Sequence, residues 1–112
     1  MVEGIDVSKQ DGVQIIRINR PQKKNALTSA MYRELVAAFD QGDADPAVAT
    51  HVVLGLKGVF CAGNDIADFL SFAQGGGLPL ETILAFLGKL PLIEKPVIAG
   101  VDGIAVGVGV TM

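Results

Sequence analysis

Two short stretches place glycine and other small residues where a strand should hand over to a helix. They are FCAGNDI, Phe60 to Ile66, and GIAVGVG, Gly103 to Gly109. Such a junction leaves backbone N–H groups unpaired at the helix start, where the peptide dipoles also favour negative charge. Small side chains let a ligand come close to the backbone. Two of these N–H groups aimed at one point would make an oxyanion hole, which stabilises an oxygen that gains charge during reaction. The same spacing also describes an ordinary glycine-rich turn, and the residues alone leave both readings open. A phosphate loop fits poorly, because neither GxxxxGKS nor GxxxxGKT occurs. Gly103, Gly107 and Gly109 give GxxxGxG rather than the dinucleotide pattern GxGxxG.

Other groups with chemistry are few. Cys61 sits inside the first junction and reads as a small apolar filler rather than a nucleophile. His51 opens a strand, shows no partner in the sequence and reads as structural. One cysteine and one histidine make a zinc site from this chain improbable, so no metal is expected. The single cysteine also excludes an internal disulfide and fits a reducing, cytoplasmic location. Asp65 and Asp68 suit a helix cap and first turn, Asp102 a turn, and Glu81 another first turn. None of the four is a good candidate for a catalytic base.

Several elements must position these stretches. Ile5 to Ser8 and Val13 to Asn19 read as strands joined by a tight Asp11-Gly12 turn. RPQKKNA then forms a charged loop. A helix is predicted from an N-cap at Thr28, with Leu27, Met31, Leu35 and Phe39 on one stripe and Gly42 as its stop. His51 to Lys57 is a buried strand, which GVFCAG carries into a turn. Asp65 to Phe72 forms a short helix capped by Asn64 or Asp65, followed by a flexible Gln74 to Gly77 break. Glu81 to Leu90 is helical, with Ile83, Leu84, Phe86, Leu87 and Leu90 apolar. Val97 to Val101 is expected to be a buried strand, after which the second junction opens a last helix. Strands alternating with helices indicate an α/β fold with parallel pairing.

With 112 residues the chain suits one domain rather than two. It is 50% hydrophobic with a mean hydropathy of +0.47, which points to buried strands, an interface or part of something larger. No apolar run reaches the roughly 18 residues of a membrane span, so no membrane association is expected. A net charge of −3, no basic block and only one tyrosine without tryptophan argue against nucleic acid. No secretory leader is visible in MVEGIDVSKQ.

Three blocks, INRPQKKNALTSAMYREL, GLKGVFCAGNDIADF and KPVIAGVDGIAVGVGVTM, occur in the order and at the separations of the crotonase superfamily, the enoyl-CoA hydratase/isomerase family. The chain resembles the N-terminal half of that family's domain. The resemblance implies a crotonase-like spiral of ββα units over residues 1–112, truncated after the second glycine-rich turn. It assigns oxyanion N–H groups to Asn64 and Val108, which would hold the thioester oxygen of an acyl-CoA. Ala62, Gly63, Asn64, Asp65 and Ile66 match the substrate loop, with Gly107 beside Val108. Lys23, Lys24 and Ala26 either run past the coenzyme A moiety or form a solvated loop. No separate cofactor is implied, since coenzyme A is part of the substrate.

The resemblance also bears on the reaction. Hydratases of the family carry a glutamate at the position of Thr111, and threonine cannot act as a carboxylate base. GNDI and GVGVTM look more like the Δ3,Δ2-enoyl-CoA isomerase branch, whose base lies further along, beyond Met112. The expected function is therefore double-bond isomerisation of enoyl-CoA in fatty-acid metabolism. A hydratase or lyase of the same family and a non-catalytic acyl-CoA-binding module are the alternatives. Homo-oligomers, trimers or pairs of trimers, are expected as well.

Overall fold

The computed structural model describes residues 3–73 and 79–112. The Gln74 to Gly77 segment lies outside the described residues. Two antiparallel strands, β1 (Ile5–Gln10) and β2 (Val13–Ile18), form the expected hairpin, with Gln10 opposite Val13. Asp11 and Gly12 both take positive φ, 52° and 82°, as a tight two-residue turn requires. Helix α1 (Ser29–Ala44) starts where its cap predicts, because the Thr28 hydroxyl accepts the Met31 N–H at 3.2 Å.

Strand β3 (Thr50–Leu54) pairs parallel with β2, and β5 (Val97–Gly100) pairs parallel with β3. The resulting sheet has the order β1-β2-β3-β5. A second, two-stranded parallel sheet joins β4 (Val59–Cys61) to β6 (Ile104–Ala105). Helices α2 (Ile66–Ala73), α3 (Pro79–Lys89) and the one-turn α4 (Val108–Thr111) complete the α/β fold.

The core lies between the sheet and α1. Leu27, Met31, Leu35 and Phe39 form the predicted stripe and are all buried against Ile16, Ile18, Val53 and Phe60. Each such side chain contributes about 2 kcal/mol by leaving water. Phe86 of α3 closes this core, whereas Leu84 and Leu87 remain on the surface.

Three expectations are corrected. Gly42 does not stop α1, which runs on to Ala44. A Cβ there would lie 2.4 Å from the His51 ring and 2.5 Å from the Gln14 amide, so the glycine serves close packing instead. The stretch after His51 does not continue as one strand. It turns at Leu56–Val59 and starts the second sheet. Finally, β5 is not buried: Val97 and Ile98 are 41% and 56% exposed, because β5 is the edge of its sheet in this chain.

Candidate active site

Strands β4 and β6 run parallel, so their C-terminal ends open side by side. Crevices outside such ends are where α/β folds gather ligands. The junction after β4 carries Ala62 to Ile66, and the junction after β6 carries Val106 to Val108.

The first junction is pinned from one side by the approach to α1. Leu27 N–H donates to Gly63 O at 2.7 Å, and Asp65 N–H donates to Leu27 O at 2.8 Å. In extended chain, successive residues direct their peptide groups to opposite sides. The Asn64 N–H therefore points away from Leu27, and among the described residues it has no hydrogen-bond partner. The Asn64 side chain is held separately, since the Tyr32 hydroxyl donates to its Oδ1.

Asp65 does structural work. Its Oδ1 accepts the Asp68 N–H at 2.8 Å, which makes Asp65 the N-cap of α2. Its Oδ2 pairs with Arg20 at 2.5 Å in a nearly buried contact. The Asp68 N–H first, and the Arg20 guanidinium second, hold the Asp65 carboxyl below the usual carboxylate range. Asp68 reaches back to α1, accepting the Ser29 N–H at 3.1 Å and the Ser29 hydroxyl at 2.8 Å. The starts of α1 and α2 thus brace each other around Asn64.

The second junction is built by close approach. The Val106 N–H donates to Cys61 O at 3.0 Å, which continues the β4–β6 ladder. Gly63 has φ +99°, and a Cβ on it would meet Val106 O at 3.2 Å. Gly109 is tighter, since its Cβ would stand 2.5 Å from Cys61 O. Val108 opens α4, so its N–H precedes any helical acceptor, and among the described residues it too has no partner. The structure brings the two glycine junctions into contact, and among the described residues the Asn64 N–H in one and the Val108 N–H in the other have no hydrogen-bond partner.

Lys24, Ala26, Ala62, Asn64, Asp65 and Ile66 line one open cleft of about 410 Å³, together with Gln22 and Lys23. Gly63 is buried and Gly107 lies against it, and neither these two glycines nor Val108 lines the cleft. Lys23 and Lys24 are exposed at its rim. Asp102 caps a turn at the Gly58 N–H, and Glu81 lines a different groove with Arg33 and Val36. Thr111 is exposed, with its hydroxyl on Gly107 O at 3.4 Å. Burial pushes the Cys61 thiol up against a smaller opposing effect of the Gly63 N–H, which suits a filler and not a thiolate nucleophile.

His51 has partners that its sequence context did not reveal. The ring is fully buried, with Nε2 2.9 Å from Asp43 Oδ1 and Nδ1 3.1 Å from Gln14 Nε2. Asp43 in turn receives the Glu94 and Lys95 N–H groups ahead of β5, so this cluster is structural. Asn25 was also missed. Fully buried in a left-handed conformation, it donates to Ile18 O and Phe60 O and accepts the Arg20 N–H. Asparagine is one of the few residues that tolerates such a φ, and its presence in KKNAL was the available signal.

Comparison with known proteins gives a consistent result. A family model described as enoyl-CoA hydratase/isomerase matches residues 8–112. The chain is 35% identical over 115 aligned positions to enoyl-CoA delta isomerase 2 of Homo sapiens, covering 98% of this chain and 29% of the isomerase. It is 37% identical over 112 positions to enoyl-CoA hydratase ACTT3 of Alternaria alternata, covering 96% and 37%. A crystal structure of an enoyl-CoA hydratase/isomerase from Pseudoalteromonas atlantica superposes with a TM-score of 0.86 at 31% identity, covering 97% of this chain and 43% of that one. The chain spans well under half the length of these relatives.

Proposed function

The chain belongs to the enoyl-CoA hydratase/isomerase family, and on that premise we propose that it supplies the thioester-holding part of an enoyl-CoA isomerase site. A thioester carbonyl acidifies the C–H next to it. Loss of that proton makes an enolate, whose oxygen the N–H groups of Asn64 and Val108 stabilise. Each such donor is worth about 3 kcal/mol of barrier. The proton leaves one carbon and returns to another, so the double bond moves without net addition. The observation that carries this reading is that the Asn64 and Val108 N–H groups, in two contacting junctions, have no hydrogen-bond partner among the described residues. The cleft lined by Lys24, Ala26, Ala62, Asn64, Asp65 and Ile66 accepts the substrate, with the exposed lysines toward the phosphates of coenzyme A. Coenzyme A enters as part of the substrate, and the reaction uses no separate cofactor.

The base is assigned outside residues 1–112. Asp65 and Asp102 are engaged as caps and Asp68 braces α1, while Glu81 belongs to another groove. Thr111 stands where the hydratases of the family place a glutamate, which favours isomerisation. The similarity to a protein named as an enoyl-CoA hydratase supports a second reading, addition of water to a 2-enoyl-CoA. Offering 3-enoyl-CoA and 2-enoyl-CoA to the full-length protein separates the two. Conversion of the 3-enoyl thioester without hydration is expected. Substantial hydration of the 2-enoyl thioester would sink the argument from Thr111, and binding without turnover would leave a carrier or scaffold. Trimers or pairs of trimers belong to the same proposal, with light scattering as the check. The apolar Leu92, Val97, Ile98, Val101, Val106 and Val110 are exposed and available for such contacts.

A further inference from the structure

We infer that Tyr32 is a positioning residue that sets the aim of the Asn64 N–H by anchoring the Asn64 side chain from inside the core. The inference rests on the oxyanion reading of Asn64 given above.

Tyr32 is the only tyrosine of the chain and is 1% exposed. It sits in the first turn of α1, where its N–H makes a helical bond to Thr28 O at 3.0 Å. Its ring packs at 59° against Phe86 of α3, with centroids 5.3 Å apart, so the direction of the phenol is fixed by two helices. A buried tyrosine needs a partner for its hydroxyl. Here that partner is the side-chain oxygen of an exposed residue, Asn64, 32 positions away. Burial first, and the neighbouring Cys61 second, push the phenol well above its ordinary range, so it stays a protonated donor.

The geometry assigns this bond a role beyond capping the phenol. Gly63 and Asp65 are already bonded to Leu27, which fixes the backbone on both sides of Asn64. The Asn64 N–H lies in the plane of the Gly63–Asn64 peptide, so what remains to move it is displacement of that peptide's Asn64 Cα end. Tyr32 restrains that end by holding the side chain that grows from it. Leu27, Thr28 and Tyr32 lie within six consecutive residues, so one stretch grips Asn64 by backbone and by side chain. Donor alignment decides how much a developing oxyanion gains, and a misplacement near 1 Å can cost roughly a hundredfold in rate.

The test uses the full-length protein with Tyr32→Phe, Asn64→Ala and the double variant. The readouts are kcat, KM and the infrared carbonyl stretch of a carbon-13-labelled acyl-CoA thioester in the bound state. Tyr32→Phe keeps the ring and its contact with Phe86. It is expected to lower kcat roughly fivefold, the typical cost of one hydrogen bond, with KM little changed and a smaller shift of the carbonyl band. Asn64→Ala, which leaves the core untouched, is expected to do the same, and the double variant to do no more than either. Should the wild-type protein bind the thioester without any carbonyl shift, the oxyanion reading itself fails. A wild-type shift that Tyr32→Phe leaves intact, with full kcat, overturns the role of Tyr32 alone. Additive losses in the double variant also overturn it, because Tyr32 would then act through something other than Asn64.

Discussion

The two junctions of the candidate site offer equivalent groups and are held in opposite ways. Asn64 is gripped by side chains and backbone from three directions: Leu27, Tyr32 and the Arg20–Asp65–Asp68 brace. Val108 is placed by backbone proximity, with Gly109 packed on Cys61 O and one turn of helix behind it. The first junction is over-determined by polar contacts, and the second depends on missing side-chain volume. Polar redundancy tolerates the loss of one member, whereas close approach does not.

The largest expected effect follows from breaking the second junction chemically. Val108→Pro removes the N–H at the first position of α4, where proline is otherwise well accommodated. Turnover by the full-length protein should fall by a factor of roughly a hundred or more, while circular dichroism stays native. Breaking the same junction sterically comes next. A Cβ at Gly109 meets a backbone oxygen that cannot swing aside. Gly109→Ala should cost about 1–3 kcal/mol of stability in denaturant unfolding and weaken acyl-CoA binding with it.

Effects at the first junction should be smaller. Thr28→Ala removes the cap of α1 that carries Tyr32, and should lower stability by about 1 kcal/mol. Asp65 gives a pH signature. Its folded pKa is depressed, so its contribution is present above the ordinary carboxylate pKa and is lost as pH falls through the lowered value. Acid unfolding of Asp65→Asn should therefore be less steep on that limb than in the wild-type protein. Asn64→Ala should have the smallest consequence, a severalfold loss of turnover, because the N–H survives. If it proves as inactive as Val108→Pro, the side chain is more than an anchor and the contrast between the junctions collapses.

Local signals in the sequence carried far. The Asp11-Gly12 turn, the Thr28 cap and the Leu27, Met31, Leu35, Phe39 stripe depend on neighbours within a few positions, and all three appear as expected. The three motif blocks located both junctions. What could not be read was tertiary partnership. The contact of Gly42 with Gln14 and His51 turns an apparent helix stop into a packing device. The exposure of β5 reflects its place at the sheet edge, which its apolar composition does not encode. Tyr32 adjoins the apolar stripe of α1, and nothing near it in the sequence encodes the bond of its hydroxyl to Asn64, 32 residues away.

The Leu27 bridge has a consequence for motion as well as for shape. Its two hydrogen bonds tie the opening of the Asn64 segment to the opening of the chain just ahead of α1. A ligand that binds only the closed arrangement stabilises it by mass action. Occupancy of the cleft should then slow amide hydrogen exchange at Leu27 and Asp65 together, although 38 positions separate them. The start of α1 would report on a bound thioester from the far side of Asn64, so exchange there can count occupied sites even when no turnover takes place.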